Sequence, residues 1–137
     1  DIKVAIHNHP QPSLYANYET VLEAVNGLSE RIGACADTGH WPRSGINALD
    51  AVKALEGRLI SFHLKDINEF GVKDAHDVIW GTGVCDVEGI LTEIARQGIK
   101  EPQFFIEYEY NWDNNLPDIA ACVAYFNQIA ENLGAAK

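Results

Sequence analysis

Residues 32–64, IGACADTGHWPRSGINALDAVKALEGRLISFHL, decide the fold of this chain. They hold two short apolar runs, Ile32–Ala36 and Leu59–Leu64, and a stretch from Ile46 to Leu55 between them with apolar residues at helical spacing, which should end at Gly57. Short continuous apolar runs are typical of strands that are buried on both faces of a parallel sheet. The segment therefore predicts a strand, a crossover helix and a second, parallel strand.

The same alternation of apolar run and helix continues on both sides of this segment. The further predicted elements are a strand at Ile2–Ile6, a helix from Tyr18 to Leu28, a helix capped by Asp86 and ended by Gly98, a strand at Phe104–Ile106, and a helix from about Pro117 ended by Gly134. Units of roughly 30 residues fit parallel crossover connections. Since no linker or low-complexity stretch interrupts the chain, we expect residues 1–137 to form one α/β domain, either an open sheet or half of a (β/α)8 barrel.

Composition and charge narrow the possible partners. With 137 residues, 47 % of them hydrophobic and 22 % charged, the chain has the make-up of a globular domain. Its formal net charge of −10 argues against nucleic-acid binding and against attraction to acidic lipid. No apolar run approaches the ~18–20 residues of a membrane span. We therefore expect neither a nucleic-acid partner nor a membrane.

The three cysteines, Cys35, Cys85 and Cys122, lie far apart and form no CxxC pair. This spacing fits neither a disulfide framework nor a zinc ribbon, so we interpret the thiols as small apolar side chains. Reduced thiols favour a cytoplasmic location, and an export signal upstream of Asp1 would instead direct the protein to the periplasm.

Metal-binding or acid–base residues follow all four predicted strands. In chain order they are His7, Asn8 and His9, then Asp37 and His40, then His63, Lys65 and Asp66, and finally Glu107 and Glu109. The carboxyl ends of parallel strands meet at one rim, which is where α/β enzymes hold their active sites. A mixed set of imidazoles and carboxylates suits a divalent metal such as Mn²⁺, Zn²⁺, Co²⁺ or Mg²⁺.

Taken singly, these residues also have structural interpretations. His7 fits a strand-end residue bonded to backbone, Asp37 fits a cap of the following loop, and His63 fits a hydrogen-bonded histidine of the core. Glu107 differs, because it lies in the aromatic run FFIEY, where a buried carboxylate is costly unless it is paired or bound to a metal. The repetition at four strand ends favours a functional site.

Two basic residues of this region have two interpretations each. Arg43 fits a clamp on an anionic or hydroxyl-rich substrate and fits a surface ion pair equally well. Lys65 fits a contact with a sugar oxygen, or an ion pair with Asp66 or Glu69.

The loop after the third strand gives weaker signals. It begins at His76 and contains Gly81-Thr82-Gly83, which is weak evidence for phosphate binding because no Lys follows. Trp41, Trp80 and Trp112 all fall in strand-end loops. Indoles at a polar rim suit the faces of sugars, and core packing accounts for any one of them equally well.

The ordered motifs HNHP, CADTGHW, SFHLKD, WGTGVCD and FFIEYE resemble the C-terminal half of the xylose isomerase-like TIM-barrel family. That family includes sugar phosphate isomerases and epimerases, D-tagatose 3-epimerase, hydroxypyruvate isomerase, inosose dehydratase and endonuclease IV. The resemblance covers essentially all 137 residues. It implies that the chain forms strands five to eight of a (β/α)8 barrel. The other half would be an N-terminal segment or a second copy in a homodimer.

The resemblance also implies roles for the residues at the rim. Asp37, His63 and Glu107 match metal ligands of the family, and His7 stands where the epimerases have a metal-binding Glu. We therefore expect Glu107 and His7 to be the catalytic acid–base pair. The residues expected to hold the substrate are His9, His40, Trp41, Arg43, Lys65 and His76.

The expected function is a metal-dependent isomerase or epimerase of a keto sugar or sugar phosphate, acting through an enediolate. A lyase or dehydratase that acts on a keto-inositol or keto-glycoside would share the first step. An abasic-site endonuclease of the endonuclease IV type is disfavoured by the acidic charge. The fourth alternative is a non-catalytic fragment that binds metal or sugar without turnover.

Overall fold

A computed structural model describes residues 2–135 of the chain. In chain order the elements are β1 (Val4–His7), α1 (Tyr18–Val25), β2 (Ile32–Asp37), α2 (His40–Arg43), α3 (Ala48–Ala54), β3 (Leu59–Leu64), α4 (Val87–Gln97), β4 (Gln103–Ile106) and α5 (Leu116–Ala135). The predicted alternation of strand and helix is confirmed. No helix in this part of the chain is both long and apolar enough to cross a membrane.

The four strands form one parallel sheet in the order β1-β2-β3-β4. Each strand lies beside the next one along the chain, which is the order of strands in a barrel wall; a doubly wound sheet would reverse its strand order at a switch point. The register places Asp37 beside His63, at the carboxyl ends of β2 and β3. This topology is that of a partial TIM barrel.

Side chains alternate between the two faces of this sheet. One face packs against the helices and contributes Ala36, Phe62 and Leu64 to the hydrophobic core. Phe62 lies against Phe104, with ring centroids 5.3 Å apart, and Phe104 lies against Phe126 of α5 at 5.2 Å. The core therefore lies between sheet and helices, as in the outer layer of a barrel.

The opposite face, which we call the open face, carries Cys35, Asp37, Ser61, His63 and Phe105. In a complete barrel, layers of side chains from all eight strands fill this space. Here Phe105 is 48 % exposed, and Val4 on the edge strand β1 is 58 % exposed. The exposed apolar surface is what half of a barrel presents before it is closed.

Some helix boundaries differ from those predicted. Helix α1 ends at Val25 rather than Leu28, because the chain turns at Gly27 with a φ of 72°. Gly98 ends α4 as predicted, in the left-handed conformation. The predicted end at Gly134 is wrong, since α5 continues to Ala135 and Gly134 does not adopt a positive φ.

Helix α3 begins at Ala48, two residues later than predicted, because the side chain of Asn47 caps it by accepting a hydrogen bond from the Asp50 N–H. Asp86 caps α4 as predicted, accepting from the N–H of Gly89. The short helix α2 was not predicted as a helix. All three cysteines are free and buried, in agreement with their interpretation as small apolar side chains. Cys85 and Cys122 belong to the hydrophobic core, whereas Cys35 lies on the open face.

Candidate active site

The candidate site lies where the carboxyl ends of the four strands meet. Backbone hydrogen bonds continue past the strands, from Thr38 N–H to the carbonyl of His63 at 3.1 Å and from Glu107 N–H to the carbonyl of Leu64 at 3.0 Å. These bonds keep the residues after the strands in the parallel register. The polar side chains that follow each strand are therefore brought to one rim, as the sequence predicts.

The buried carboxylate of Asp37 is at the centre of this rim. Its Oδ1 accepts hydrogen bonds from the N–H groups of Gly39 and His40, each at 3.0 Å, so Asp37 does cap the following loop. Its Oδ2 lies 3.5 Å from Nε2 of His7, 3.4 Å from Nε2 of His40 and 3.5 Å from Nζ of Lys65. One oxygen thus serves the fold, and the other faces the site.

Two atoms at this point lack hydrogen-bond partners among the described residues. They are Oδ2 of Asp37 and Nε2 of His7, and both are buried. The basic groups around Oδ2, at 3.4–3.5 Å, contact it electrostatically without forming a hydrogen bond that meets normal geometry. Oδ2 of Asp37 and Nε2 of His7 therefore keep lone pairs that a metal ion could bind.

Asp37 is held in the ionised form. Burial opposes its ionisation, but the neighbouring His7, His40 and Lys65 outweigh burial and lower the pKa of the carboxyl to about 2. A carboxylate that stays charged at neutral pH is ready to bind a metal ion without first losing a proton.

Two polar side chains at the rim, to which the sequence assigned no role of their own, fix the backbone of the site. The Asn8 side chain donates to the carbonyl of Asp37 at 3.0 Å and accepts from its N–H at 2.7 Å. The Thr38 hydroxyl donates to the carbonyl of Lys65 at 2.7 Å and accepts from its N–H at 2.8 Å. Each side chain replaces a backbone partner and extends the parallel ladder beyond its strand. The signal in the sequence was a short polar residue directly beside a predicted ligand.

His63 and Glu107 form a pair across β3 and β4. Nδ1 of His63 lies 2.8 Å from Oε2 of Glu107, which accepts its proton in a hydrogen bond. Both side chains are about a quarter exposed and reach the open face. Because Nδ1 is engaged, Nε2 is the nitrogen of His63 that is available to a metal, and the carboxylate orients the ring for it.

Lys65 is fully buried, and its ammonium group faces carboxylates. It donates to Oε2 of Glu109 at 2.6 Å and lies 3.5 Å from Oδ2 of Asp37. Its partner is thus Glu109, and neither Asp66 nor Glu69 pairs with it, contrary to one alternative from the sequence. The hydrogen bond from Lys65 lowers the pKa of Glu109. The positive charge of Lys65 thus offsets the negative charges of Asp37 and Glu109.

Arg43 is engaged on three sides. It donates to Asp77 at 2.7 Å through one terminal nitrogen, lies 3.2 Å from Nδ1 of His40 through the other, and donates from Nε to the carbonyl of Ala75 at 3.0 Å. Asp77 in turn accepts from the N–H of Glu109 at 2.5 Å. The interpretation of Arg43 as an ion-pair residue agrees with this arrangement, although the pair is buried and not at the surface.

The imidazole of His40 is buried and lies against the guanidinium of Arg43. Burial lowers its pKa to about 4, with Asp37 opposing the shift and the charges of Lys65 and Arg43 adding to it. His40 is therefore neutral at physiological pH. A neutral imidazole presents one donor and one acceptor nitrogen.

The Gly81-Thr82-Gly83 turn encloses a carboxylate of the chain itself. Asp66 accepts four backbone hydrogen bonds of 2.9–3.0 Å, and the donors are the N–H groups of Ile67, Gly81, Gly83 and Cys85. A Cβ atom at position 83 would collide with the carbonyl of Ile67 and with Oδ1 of Asp66, so glycine is required there. The donors that a phosphate would need are already engaged, and the loop is anchored to the end of β3.

The other predicted substrate residues occupy three different environments. His9 is exposed and stacks on His40 with ring centroids 4.8 Å apart, which places it at the open side of the rim. His76 stacks on Tyr110 at 4.3 Å. Trp41 is 1 % exposed and belongs to the hydrophobic core, so its ring does not face the open side.

Two groups of possible metal ligands occur among residues 2–135, and they share His7. The first is His7, Cys35 and His63, and the second is His7, His9 and His40. Within each group the potential ligand atoms lie within 4.8 Å of one another. With Asp37 beside His7, this rim can supply imidazole, carboxylate and thiolate ligands, a set suited to transition metals such as Zn²⁺.

The chain spans about half the length of the solved structures described here. A D-tagatose 3-epimerase-like protein superposes with a TM-score of 0.77 and 20 % identity, over 98 % of this chain and 49 % of its own. IolI, solved with a bound zinc atom, gives 0.76 and 17 %, over 96 % and 50 %. The probable 3-DHS dehydratase AsbF from Bacillus anthracis gives 0.67 and 15 %, over 90 % and 49 %. At these identities the likeness shows a shared fold.

The sequence itself identifies the family. No protein with a curated description matches the chain. The family model described as xylose isomerase-like TIM barrel, however, matches residues 1–128, which is nearly the whole chain. Together with four parallel strands in sequential order, this match confirms the resemblance of the motifs. The chain belongs to the xylose isomerase-like TIM barrel family.

Proposed function

We propose that the chain carries the metal-binding half of a divalent-metal-dependent isomerase or epimerase that acts on a keto sugar. The observation that carries this proposal is a pair of buried atoms that make no hydrogen bond, Oδ2 of Asp37 and Nε2 of His7, which lie 3.5 Å apart. One cation can bind both atoms with little movement of either. Each atom would lie about 2.0–2.2 Å from the ion, and the two atoms are already separated by a distance that allows this.

Four residues would hold the metal. Asp37 supplies an ionised oxygen, His7 supplies Nε2, and His63 supplies the nitrogen that Glu107 does not engage. Glu107 either binds the ion directly or orients His63 for it. A bound divalent ion would act as a Lewis acid on the carbonyl and adjacent hydroxyl of a ketose. The zinc held by IolI, which shares the fold, supports such a site.

His7 and Glu107 would act as the catalytic acid and base, because their side chains reach the open face. The side chains of His7 and Glu107 are 30 % and 28 % exposed, whereas Asp37 and Lys65 are fully buried. A sugar on the open face can therefore touch His7 and Glu107, and either can take a proton from the carbon next to the carbonyl. His9 and His40 lie beside them as hydrogen-bonding groups for sugar hydroxyls.

The site is open on the side where a complete barrel would have four more strands. Two observations support the proposal that a second half-barrel closes the site. Val4 and Phe105 are exposed, and a structure similar to this chain is about twice as long as the chain. That half is an N-terminal segment or a second copy of the chain. The sugar would then bind between the two halves, out of bulk water.

Cleavage of DNA is not supported by this rim. Its two long basic side chains, Arg43 and Lys65, are buried and paired with Asp77 and Glu109. Phosphate contacts need basic groups that are free to displace counterions. The acidic net charge of the whole chain acts in the same direction.

Deuterium exchange tests the reaction and separates it from the lyase alternative. The metal-loaded protein is incubated with ketoses and keto-glycosides in D₂O, and the products are analysed by NMR and mass spectrometry. An isomerase or epimerase leaves the carbon skeleton intact with one deuterium beside the carbonyl, whereas a lyase or dehydratase releases an alcohol or water. Loss of the activity in Asp37→Asn but not in Asp50→Asn, at an exposed position of α3, would tie it to this site. Failure of the chain to bind any divalent metal would contradict the proposal.

A further inference from the structure

We infer that Arg43, held by Asp77, is a positioning residue that makes Nδ1 of His40 a hydrogen-bond acceptor and so places the proton of the ring on Nε2. His40 is then a hydrogen-bond donor to the sugar and not a metal ligand. This inference deepens the proposed function, on which the role toward the sugar rests. The tautomer itself follows from contacts within the chain.

The first step is the chemistry of the guanidinium. Its nitrogens carry only donors, and one terminal nitrogen of Arg43 lies 3.2 Å from Nδ1 of His40. Nδ1 must therefore accept that hydrogen bond through its lone pair. A neutral imidazole carries its one proton on the other nitrogen, so Nε2 of His40 is the donor.

The second step is the rigidity of Arg43. The Arg43 side chain is 11 % exposed, and Asp77, which is 1 % exposed, accepts its second terminal nitrogen at 2.7 Å. The Nε of Arg43 donates to the carbonyl of Ala75. Arg43 follows His40 by three residues in α2, so the two side chains lie on the same face of one turn. The guanidinium cannot leave Nδ1 without breaking a buried ion pair.

The third step separates His40 from the metal ligands. By distance alone, His40 completes a cluster with His7 and His9. A histidine that binds a metal through Nε2 ordinarily donates its Nδ1 proton to a carboxylate or carbonyl, as His63 does to Glu107. His40 has a cation at that position instead. The same kind of side chain is thus set to two opposite roles by its partner at Nδ1.

The fourth step is the direction of the remaining proton. Nε2 of His40 lies 3.4 Å from Oδ2 of Asp37, next to the proposed metal position. When a cation binds that oxygen, the Nε2 proton is left beside it. A carbonyl or hydroxyl oxygen of a bound ketose at the metal would accept the proton in a hydrogen bond. His40 would thereby assist polarisation of the substrate.

Nitrogen NMR of the ¹⁵N-histidine-labelled protein tests the inference, with and without Zn²⁺ and without any substrate. The His40 signals are assigned from their loss in His40→Gln. We expect a protonated Nε2 and an unprotonated Nδ1 in both states, while the His63 signal from Nε2 shifts on addition of Zn²⁺. A proton on Nδ1 of His40, or loss of the Nε2 proton when Zn²⁺ binds, would overturn the inference.

Arg43→Met removes the donor at nearly constant length, and Arg96→Met, at an exposed position of α4, is the matched control. We expect the Zn²⁺-loaded Arg43→Met protein to show a detectable Nδ1-protonated fraction of His40 and the control to show none. An unchanged His40 spectrum in Arg43→Met would contradict the role of Arg43. If that variant does not fold, the wild-type comparison with and without Zn²⁺ still decides the tautomer. Failure of the proposed enzymatic function would appear separately, as absent turnover with the tautomer as expected.

Discussion

His7 faces Asp37 across β1 and β2, with Nε2 of the imidazole 3.5 Å from Oδ2 of the carboxylate. The first strand thus carries an imidazole where the resemblance to the epimerases implies a Glu. A metal bound in the proposed site would therefore meet one carboxylate fewer than in those epimerases. Imidazole suits zinc and carboxylate suits manganese or magnesium, so this single residue bears on the choice of metal.

We expect the protein to bind Zn²⁺ more tightly than Mn²⁺, and His7→Glu to narrow that difference by about tenfold or more, because a carboxylate replaces an imidazole. Isothermal titration with each metal at pH 7 measures both affinities. His7→Gln, which is neutral, is the control and should weaken both metals. If the substitution His7→Glu changes neither the zinc affinity nor the manganese affinity, His7 is not a ligand.

Asp37→Asn should lower Zn²⁺ affinity by roughly a hundredfold or more, since it removes the ionised ligand of the site. The amide oxygen can still accept the hydrogen bonds from Gly39 and His40 that Oδ1 accepts now, so we expect the fold to persist. Circular dichroism and metal analysis of the purified variant check both points. Asp50→Asn, at an exposed position of α3, should leave zinc affinity unchanged.

The metal-free protein should lose stability as the pH falls from 6.5 towards 4. The pKa of His40 is about 4 in the folded protein and near 6.5 when unfolded, so the unfolded chain binds more protons between these values. The contribution of His40 amounts to about 3 kcal/mol, present above pH 6.5 and lost as the pH approaches 4. Urea unfolding at pH 7 and pH 4.5, with a chelator, measures it.

In His40→Gln the same titration is absent, so the loss of unfolding free energy between pH 7 and pH 4.5 should be smaller than in wild type. An equal loss in the two proteins would mean that His40 is not the group responsible.

Asp66→Asn should destabilise the protein by about 3 kcal/mol or more, because the amide cannot accept all four N–H groups that now surround the carboxylate. Its NH₂ group would also face donors. Equilibrium unfolding in urea measures the loss, and Asp74→Asn at an exposed loop position is the control. A change below 1 kcal/mol in Asp66→Asn would show that the loop is not anchored there.

The 137-residue chain, expressed alone, should self-associate through its open face. Edge strands and exposed apolar side chains pair with other copies unless they are covered. Phe105→Glu should reduce the association, whereas Phe70→Glu should not, although both phenylalanines are 48 % exposed, since Phe70 lies in a loop. Native mass spectrometry, which also reports bound metal, compares the three proteins. A monomeric wild-type chain would contradict this expectation.

The alternation of parallel strands with helices and the set of residues at the rim followed from the sequence alone, whereas the choice of a half-barrel over an open sheet came from the resemblance to the family. Continuous apolar runs such as Ile32–Ala36 can be buried only in a covered parallel sheet, and the residues after such strands must meet at one edge. Asp37, His63 and Glu107 were therefore expected at one rim, and the structure places them side by side there. Capping residues such as Asp86 and Gly98 acted locally, and for that reason they marked the ends of α4 correctly.

Pairings within the rim depended on tertiary structure. Lys65 pairs with Glu109, 44 residues away, and Arg43 pairs with Asp77, 34 residues away. In the sequence, Asp66 and Glu69 are closer to Lys65 than Glu109 is. The direction of the strands and the path of the loops decide which carboxylate the buried Lys65 contacts. The enclosure of Asp66 by a glycine turn and the burial of Trp41 have the same origin. The spacing of residues in the sequence determines which groups reach the rim. The three-dimensional path of the loops determines which nitrogen or oxygen each group faces, because a hydrogen bond is made or lost when the distance between two atoms changes by a few tenths of an ångström.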